Sequence, residues 1–270
     1  MPATAPIGIF DSGVGGLTVL RTLRERLPGE HFVYLGDTAR LPYGTKSAAT
    51  VVRYAVNAAS HLAKHDIKLL VVACNTASSY ALGEVVDALP VPVVGVVEPG
   101  VRAALATGAD RIGIIGTEGT IRSASYQSAL ERRKPDVCVS AVACPLFVPL
   151  AEEGWGDHPV TDQVARHYLA PLLDDDIQAL ILGCTHYPLL TPSLQRVVGA
   201  AVQLVDSASA VADTVVADHA ELLRHGGAGS VRLELTDASE RFLRIARTIL
   251  GHDPERLEVV DIDHAARRPA

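Results

Sequence analysis

Short apolar segments recur along the first part of the chain, and longer amphipathic segments separate them. The apolar segments are IGIF (7–10), HFVYLG (31–36), IKLLVVAC (67–74) and VPVVGVV (91–97). Helical patterns follow two of them, LTVLRTLRERL (17–27) and the stretch 47–65. Alternating strand and helix patterns are typical of a parallel sheet with helices on both faces. The pattern therefore predicts an α/β fold.

A second series of apolar segments begins near Pro99: RIGIIGT (111–117), VCVSAVAC (137–144), IQALILGC (177–184) and VQLVD (202–206). IGIFDSG, which begins at residue 7, resembles IGIIGTEG, which begins at residue 112, an offset of 105 residues. VVACNT around Cys74 resembles LILGCTH around Cys184, an offset of 110 residues. Two matches at nearly the same offset indicate a duplicated unit. We therefore expect two pseudo-symmetric lobes, each a parallel sheet flanked by helices.

The segment after Asp206 has its own pattern. ASAVADTVVADHAELLRHG predicts one long helix that ends at Gly226 and Gly227, and a strand-like VRLELT and another helix follow. We expect this tail to return to the first lobe, which would then comprise residues 1–98 and 207–270, with residues 99–206 as the second lobe. The alternative is that the tail completes the second lobe.

Composition and charge narrow the class of protein. A net charge of −7 repels a phosphate backbone, and the chain has no dense cluster of Lys and Arg, so we expect no nucleic-acid partner. The start, MPATAPIGIF, lacks the basic and apolar regions of a signal peptide, and no apolar segment approaches the length of a membrane span. We expect a cytoplasmic protein without membrane contact.

Four cysteines, at positions 74, 138, 144 and 184, lack the CxxC spacing of zinc sites and redox pairs, so we expect free thiols and no metal. Cys74 and Cys184 each end an apolar strand and precede polar residues that can begin a helix, and a helix N-terminus lowers the pKa of a thiol. One such cysteine would be a core residue, but two at matching positions predict reactive thiols. Cys138 and Cys144 occur in one half only and are interpreted as core thiols.

The glycine-rich stretch DSGVGG (11–16) follows the first strand. It does not match the dinucleotide-binding pattern GxGxxG, because Thr18 stands where the third glycine belongs. Two interpretations remain open. The stretch is either a tight turn in which Asp11 or Ser12 serves the start of the helix, or a place where a ligand approaches the backbone N–H groups.

Two thiols on facing lobes would lie on opposite sides of one ligand. One thiolate would remove a proton from carbon while the other thiol donates a proton to the opposite face, which inverts the centre. Asp11, Asp37 or a carboxylate of AEEG (151–154) would suit a substrate ammonium group, and hydroxyls and backbone N–H groups would suit a carboxylate. These features predict racemisation of an amino acid in a cleft between lobes. His186 either assists Cys184 or is structural.

Several motifs together resemble one known family. IGIFDSGVGGLTV, DTARLPYGTKS, VVACNTAS, CPLFVPLAEEG and LGCTHYPLL, in this order, closely resemble the bacterial glutamate racemases of the aspartate/glutamate racemase superfamily. The resemblance covers about residues 7–223. It implies two α/β lobes and interconversion of L- and D-glutamate without pyridoxal phosphate or metal. It further implies a supply of D-glutamate for peptidoglycan and a homodimer.

The resemblance also implies roles for individual residues. Cys74 would deprotonate D-glutamate and Cys184 would deprotonate L-glutamate, with Asp11 assisting Cys74 and His186 assisting Cys184. Glu152 matches a carboxylate near the second thiol, although Glu153 beside it is an alternative. The positions that match substrate contacts are Asp11, Ser12, Tyr43, Gly44, Asn75, Thr76, Thr185 and His186.

Two competing functions remain. The chain could be a racemase of the same superfamily that acts on aspartate or a hydantoin, since the length of the pocket cannot be deduced from the sequence. It could also be a non-catalytic two-lobed protein that binds amino acids, although such a protein would have no need of paired thiols.

Overall fold

A computed structural model describes residues 2–224, 226–254 and 256–262 of the chain. The last residues of the predicted first lobe, 263–270, lie outside the described residues. In the described part, the strands are β1 (Ile7–Asp11), β2 (His31–Gly36), β3 (Leu69–Val72), β4 (Val93–Gly95), β5 (Arg111–Gly116), β6 (Cys138–Ala143), β7 (Ala179–Gly183), β8 (Gln203–Asp206), β9 (Ser230–Leu235) and β10 (Leu257–Val259).

Helices connect successive strands. They are α1 (Leu17–Arg26), α2 (Ala48–Ala63), α3 (Asn75–Ala88), α4 (Val97–Ala106), α5 (Glu118–Arg122), α6 (Ser125–Arg133), α7 (Phe147–Glu152), α8 (Pro159–Asp174), α9 (Thr191–Val198), α10 (Ser207–Asp218) and α11 (Glu240–Leu250). Short 3₁₀ helices lie at Thr38–Arg40, Tyr43–Thr45, Tyr187–Leu190 and Ala220–Leu222. Within these described ranges, no helix is both long enough and apolar enough to cross a membrane.

The strands form two parallel sheets. The first sheet has the order β10-β9-β2-β1-β3-β4, and the second has the order β6-β5-β7-β8. If β9 and β10 are left aside, the strands of the first sheet are ordered β2-β1-β3-β4 and those of the second β6-β5-β7-β8. In both sheets the order is therefore second, first, third and fourth strand along the chain. This shared order agrees with the predicted duplication and confirms the α/β class with parallel sheets flanked by helices.

The tail belongs to the first sheet by its strand pairing. β9 pairs in parallel with β2 from His31↔Ser230 to Gly36↔Leu235, and β10 pairs with β9. The predicted boundary between residues 98 and 99 falls in the first turn of α4. The division into lobes at residues 98/99 and 206/207 stays a prediction.

The long helix predicted after Asp206 is shorter than expected. α10 ends at Asp218, not at Gly226, and a 3₁₀ turn follows. The turn directs Leu223 into the apolar core of the first sheet, where its side chain is buried. Beyond it, the backbone N–H of Arg224 donates a hydrogen bond to the buried Glu30 carboxylate, so tertiary contacts end the helix.

The prediction that Cys138 is a core thiol is wrong. Cys138 is exposed, because β6 is an edge strand of the second sheet and is only partly covered. Cys144 is fully buried in a cluster with Phe147 and Leu182, as expected.

Candidate active site

The carboxyl ends of strands from both sheets meet at a small cavity of about 40 Å³. In parallel sheets this edge is where loops and helix N-termini form ligand sites. Most of the predicted site residues line the cavity: Ser12, Tyr43, Gly44, Cys74, Asn75, Thr76, Cys184, Thr185 and His186. Cys74 follows β3 and Cys184 follows β7, so the structure brings together the two thiols that the repeat had paired.

Asp11 and Glu152 do not line this cavity directly. Asp11 is fully buried behind it, where the Thr185 hydroxyl donates a hydrogen bond to its carboxylate over 3.4 Å. Glu152 reaches the cavity only through His186, since its Oε1 atom lies 3.3 Å from Nε2 of that ring.

Cys74 lies at the N-terminus of α3 as the capping residue. Its thiol donates a hydrogen bond to the Ser12 hydroxyl over 3.4 Å. Burial, with the nearby Asp11 charge, raises the pKa of Cys74 to about 12. The expected lowering of this pKa by the helix is therefore wrong, because the loss of solvation outweighs the helix dipole. In the free protein Cys74 is a neutral thiol.

Cys184 has different surroundings. No α-helix begins directly after it, contrary to the expectation, because Pro188 and Pro192 restrict the following chain to a 3₁₀ turn before α9. A charge on Cys184 is stabilised by His186 instead, whose Nδ1 atom lies 3.8 Å from Sγ.

His186 lies between Cys184 and Glu152. Burial by itself would lower the pKa of the imidazole, but the contacts with Cys184 and Glu152 outweigh burial and raise the pKa to about 10. Burial likewise opposes ionisation of Glu152, but His186 and Arg241 outweigh it and lower the pKa of that carboxyl. At neutral pH the ring is an imidazolium between the Glu152 carboxylate and Sγ of Cys184.

Of the two adjacent glutamates, Glu152 is the one near the second thiol. Glu153 is half exposed and pairs with Arg241 over 3.0 Å. The same Arg241 lies 3.1 Å from Oε2 of Glu152. No sequence pattern indicated this arginine, because it lies on α11 and meets Glu152 only through tertiary packing.

The loops of the two sheets are in direct contact around the cavity. Gly15 lies so close to the loop after β7 that a Cβ atom there would be 2.4 Å from the Thr185 hydroxyl and 2.5 Å from Nδ1 of His186. Thr76 is hydrogen-bonded to Thr117 over 2.9 Å, which joins α3 to the start of α5. Glycine at position 15 is therefore required for the two loops to approach.

Asp37 does not lie where an ammonium group could reach it from the cavity. The Tyr43 hydroxyl donates a short hydrogen bond to its buried carboxylate, Arg40 Nε lies 2.7 Å from it, and the Thr236 hydroxyl donates over 3.0 Å. Burial and the Asp37 charge raise the pKa of Tyr43 far above its usual range. The expectation that Asp37 holds substrate is thus replaced by a role in fixing Tyr43.

Two further side chains were missed by the sequence analysis. The Tyr126 hydroxyl donates a hydrogen bond to Oδ1 of Asn75 over 2.6 Å, and the Ser207 hydroxyl contacts the same oxygen over 3.4 Å. Together they hold Asn75 at the start of α3. A tyrosine in a helical pattern indicates only core packing, so no sequence signal could have assigned this contact.

A larger cavity of about 430 Å³ lies between α11 and the segment after α7. Glu152 and Arg244 are among the described residues that line it, and none of these residues is a cysteine. The smaller cavity has the chemistry of a reaction site, since it contains two thiols, an imidazolium and several hydroxyls. Among the described residues that line it, none is a lysine that could attach pyridoxal phosphate.

Comparison with known proteins places the chain among racemases. The Asp/Glu/Hydantoin racemase family model matches residues 7–215. A glutamate racemase of Geobacter metallireducens is 52% identical over 253 residues, which covers 91% of this chain and 92% of that protein.

Two solved structures are similar over nearly the whole chain. Glutamate racemase from Francisella tularensis in complex with D-glutamate is 35% identical, with a TM-score of 0.91 and coverage of 97% of this chain and 99% of that one. Glutamate racemase from Thermus thermophilus in complex with beta-chloro-D-alanine is 46% identical, with a TM-score of 0.85 and coverage of 96% and 98%.

Proposed function

The chain belongs to the Asp/Glu/hydantoin racemase family, and from this membership we propose that it is an isomerase that interconverts L- and D-glutamate. The observation that carries the proposal is that Cys74 and Cys184, which follow equivalent strands of two sheets, line one cavity. Glutamate is favoured over aspartate or a hydantoin because the relative at 52% identity over 91% of the chain is a glutamate racemase.

The reaction proceeds by two proton transfers. Cys74 removes the Cα proton of D-glutamate, and the electron pair of the broken C–H bond is delocalised onto the α-carboxylate of the substrate. The Cys184 thiol then protonates Cα from the opposite face. Cys184 removes the Cα proton of L-glutamate in the other direction. Each turnover leaves the thiol and thiolate exchanged between the two cysteines, so the enzyme alternates between two protonation states.

The two thiols are activated by different groups. The His186 imidazolium, next to Sγ of Cys184, stabilises a thiolate there through its positive charge. Cys74 has a raised pKa and needs a proton acceptor, which is Asp11: burial raises the pKa of that carboxyl and so makes it a better base. The form with a thiolate at Cys184 and a thiol at Cys74 accepts L-glutamate, and the form with these states exchanged accepts D-glutamate.

The substrate carboxylates are bound mainly by neutral donors. The start of α3, with Asn75 and Thr76, offers backbone N–H groups and a hydroxyl next to Cys74. Ser12, Tyr43, Gly44 and Thr185 complete the binding surface. These groups line one small cavity between the loops of the two sheets.

The reaction needs neither pyridoxal phosphate nor a metal at this cavity. In the cell the enzyme supplies D-glutamate for peptidoglycan, acts in the cytoplasm and forms a homodimer. Loss of the gene should therefore make growth depend on added D-glutamate, and sedimentation equilibrium should give twice the mass of the 28.5 kDa chain.

The deciding experiment adds enantiopure D-glutamate to chelator-treated protein and follows optical rotation. The signal should decay to zero, while D-aspartate at the same concentration should react much more slowly. Cys74→Ser and Cys184→Ser should each abolish the decay, and Cys138→Ser, at the exposed thiol, should not. A stable rotation with glutamate, or faster loss with aspartate, would reject the proposed substrate.

A further inference from the structure

A second cluster of ionisable side chains lies apart from the thiol cavity. His61 lies in the last turn of α2, His65 lies in the turn that follows this helix, and Glu234 projects towards them from β9. One ligand atom from each of the three lies within 4.8 Å of the other two. None of them lines the cavity that contains Cys74 and Cys184.

The distances in the cluster are close to those of a metal site. Nε2 of His61 lies 2.7 Å from Oε2 of Glu234, and Nε2 of His65 lies 3.2 Å from the same oxygen. Ligand atoms of a tetrahedral zinc ion, with bonds of about 2.0–2.1 Å, are about 3.3 Å apart. To admit the ion, the His61–Glu234 pair would separate by about 0.6 Å and the His65–Glu234 pair by about 0.1 Å, while the two histidine nitrogens already lie within 4.8 Å of each other.

The polar groups of the cluster are buried and incompletely satisfied. Glu234 is fully buried, and its Oε1 atom lies 3.1 Å from Nε2 of His65, while Nδ1 of His61 has no hydrogen-bond partner among the described residues. Arg232 Nε lies 2.8 Å from Oε1 of Glu234, but this arginine is also paired with Glu258 over 2.5 Å. Its charge is therefore shared, and the cluster keeps a buried carboxylate facing two imidazoles.

We propose that His61, His65 and Glu234 form a binding site for a divalent transition-metal ion of the zinc type. The ligands are the two Nε2 atoms and Oε2 of Glu234, and a water molecule takes the fourth position. Two imidazoles and one carboxylate suit zinc, whereas magnesium and calcium require oxygen ligands. The His65 side chain is 22% exposed, which gives the ion and its water access from solvent.

The ion would stabilise the fold and take no part in racemisation. α2 and β9 lie far apart in the sequence, since His61 and Glu234 are separated by 173 positions. A metal bond between them fixes the tail strand against the helix of the first sheet. Arg232 at Oε1 then holds the carboxylate so that Oε2 faces the ion.

The test uses the full chain with Cys74→Ser and Cys184→Ser, so that the thiols of the cavity do not bind metal. Chelator-treated protein is titrated with Co²⁺ and, separately, with Zn²⁺ by calorimetry. We expect one tightly bound ion and a visible Co²⁺ spectrum of tetrahedral type, without the strong ultraviolet band of a thiolate ligand. At a concentration about 100-fold above Kd, Zn²⁺ should raise Tm by about 5 °C.

Variants of the ligands decide whether this cluster is the site. His65→Asn, at a partly exposed position that tolerates the change, should weaken binding at least about tenfold and remove the rise in Tm. Glu234→Gln should do the same, while His167→Asn, at an exposed position on α8, should bind as the parent does. The proposal is overturned by the absence of a bound ion, or by equal affinities of the parent and the folded His65→Asn variant.

Discussion

Nδ1 of His186 lies 3.8 Å from Sγ of Cys184, while Nε2 on the other side of the ring lies 3.3 Å from Glu152. The ring is thus an imidazolium at neutral pH and stabilises negative charge at one of the two thiols only. Among the described residues that line the cavity, none places a comparable cation at Cys74, whose thiol donates to the neutral Ser12 hydroxyl. Two thiols that occupy equivalent positions in the repeat therefore differ in electrostatic environment.

Replacing His186 by Asn should slow the transfer that involves Cys184. We expect kcat/KM to fall by about 10²-fold or more, the usual contribution of a group that assists proton transfer. The fall must be equal in both directions, because the enantiomers have equal free energy. In the parent, activity that depends on the imidazolium should be lost as the pH rises through about 10.

Isotope effects identify which transfer His186 assists. With 2-deuterated L-glutamate, Cys184 removes the deuteron, so the isotope effect on kcat/KM should grow in His186→Asn. With 2-deuterated D-glutamate the effect should shrink, since Cys184 then donates a solvent proton. His167→Asn serves as the control. If the isotope effect in His186→Asn grew with 2-deuterated D-glutamate instead, His186 would assist the transfer at Cys74 and not the one at Cys184.

The sequence predicted the fold well because apolar periodicity depends on burial in a sheet. The repeat predicted a duplicated unit, with which the shared strand order of the two sheets agrees, and the lining of the cavity followed from the rule that sites form where parallel strands end. What failed depended on contacts between distant segments. Cys138 is exposed because its strand lies at an edge, and α10 stops early because Leu223 is drawn into the core.

The electrostatics of the site could not be predicted from sequence for the same reason. The helix N-terminus at Cys74 indicated a lowered pKa, yet complete burial beside Asp11 raises it. Asp37 has the right charge for an ammonium group, but Arg40, Tyr43 and Thr236 already satisfy it. The sequence shows which residues are ionisable, whereas their desolvation and their hydrogen-bond and ion-pair partners depend on the packed structure.

Arg241 should tune the site from α11 through Glu152. Replacing it by Leu removes a cation 3.1 Å from Oε2 of Glu152, so the pKa of that carboxyl should rise from its lowered value. Because the ionised carboxylate stabilises the His186 imidazolium, activity is present above the Glu152 pKa and lost as the pH falls through it. The acidic limb of the kcat/KM profile should therefore move to higher pH.

Charge and structure are separated by matched variants on the same helix. Arg241→Lys should keep the acidic limb near its original position, and Arg244→Leu, which changes a lining residue of the neighbouring cavity, should leave the limb unchanged. If Arg241→Leu only lowered activity uniformly at all pH values, Arg241 would be a packing residue and not a tuning one.

Gly15 should be intolerant of even a methyl group. In Gly15→Ala the new Cβ would lie 2.4 Å from the Thr185 hydroxyl and 2.5 Å from the His186 ring, and both side chains are buried. The loops would have to separate, which displaces His186 from Cys184. A displacement of about 1 Å in a catalytic group costs about 10²-fold in rate. Steady-state kinetics should show this loss in a protein that still folds by circular dichroism.

Gly83→Ala provides the control for that substitution. Gly83 lies within α3, and a Cβ there would meet nothing within 4 Å. Because alanine favours a helix over glycine by about 1 kcal/mol, this variant should be slightly more stable and fully active. Equal activity of Gly15→Ala and the parent would show that the two loops are free to shift.

The two thiols should differ in reactivity towards an alkylating agent. Both are 5% exposed, so access does not distinguish them, but Cys74 has a pKa of about 12 and is almost entirely protonated at pH 8. Only the thiolate reacts. Brief treatment with iodoacetamide followed by peptide mass spectrometry should find Cys184 labelled at least about tenfold faster than Cys74, with exposed Cys138 as the reference for labelling.

His186→Asn should remove most of the advantage of Cys184, because the charge that stabilises its thiolate is lost. Faster labelling of Cys74 in the parent would mean that the His186 imidazolium does not favour a thiolate at Cys184.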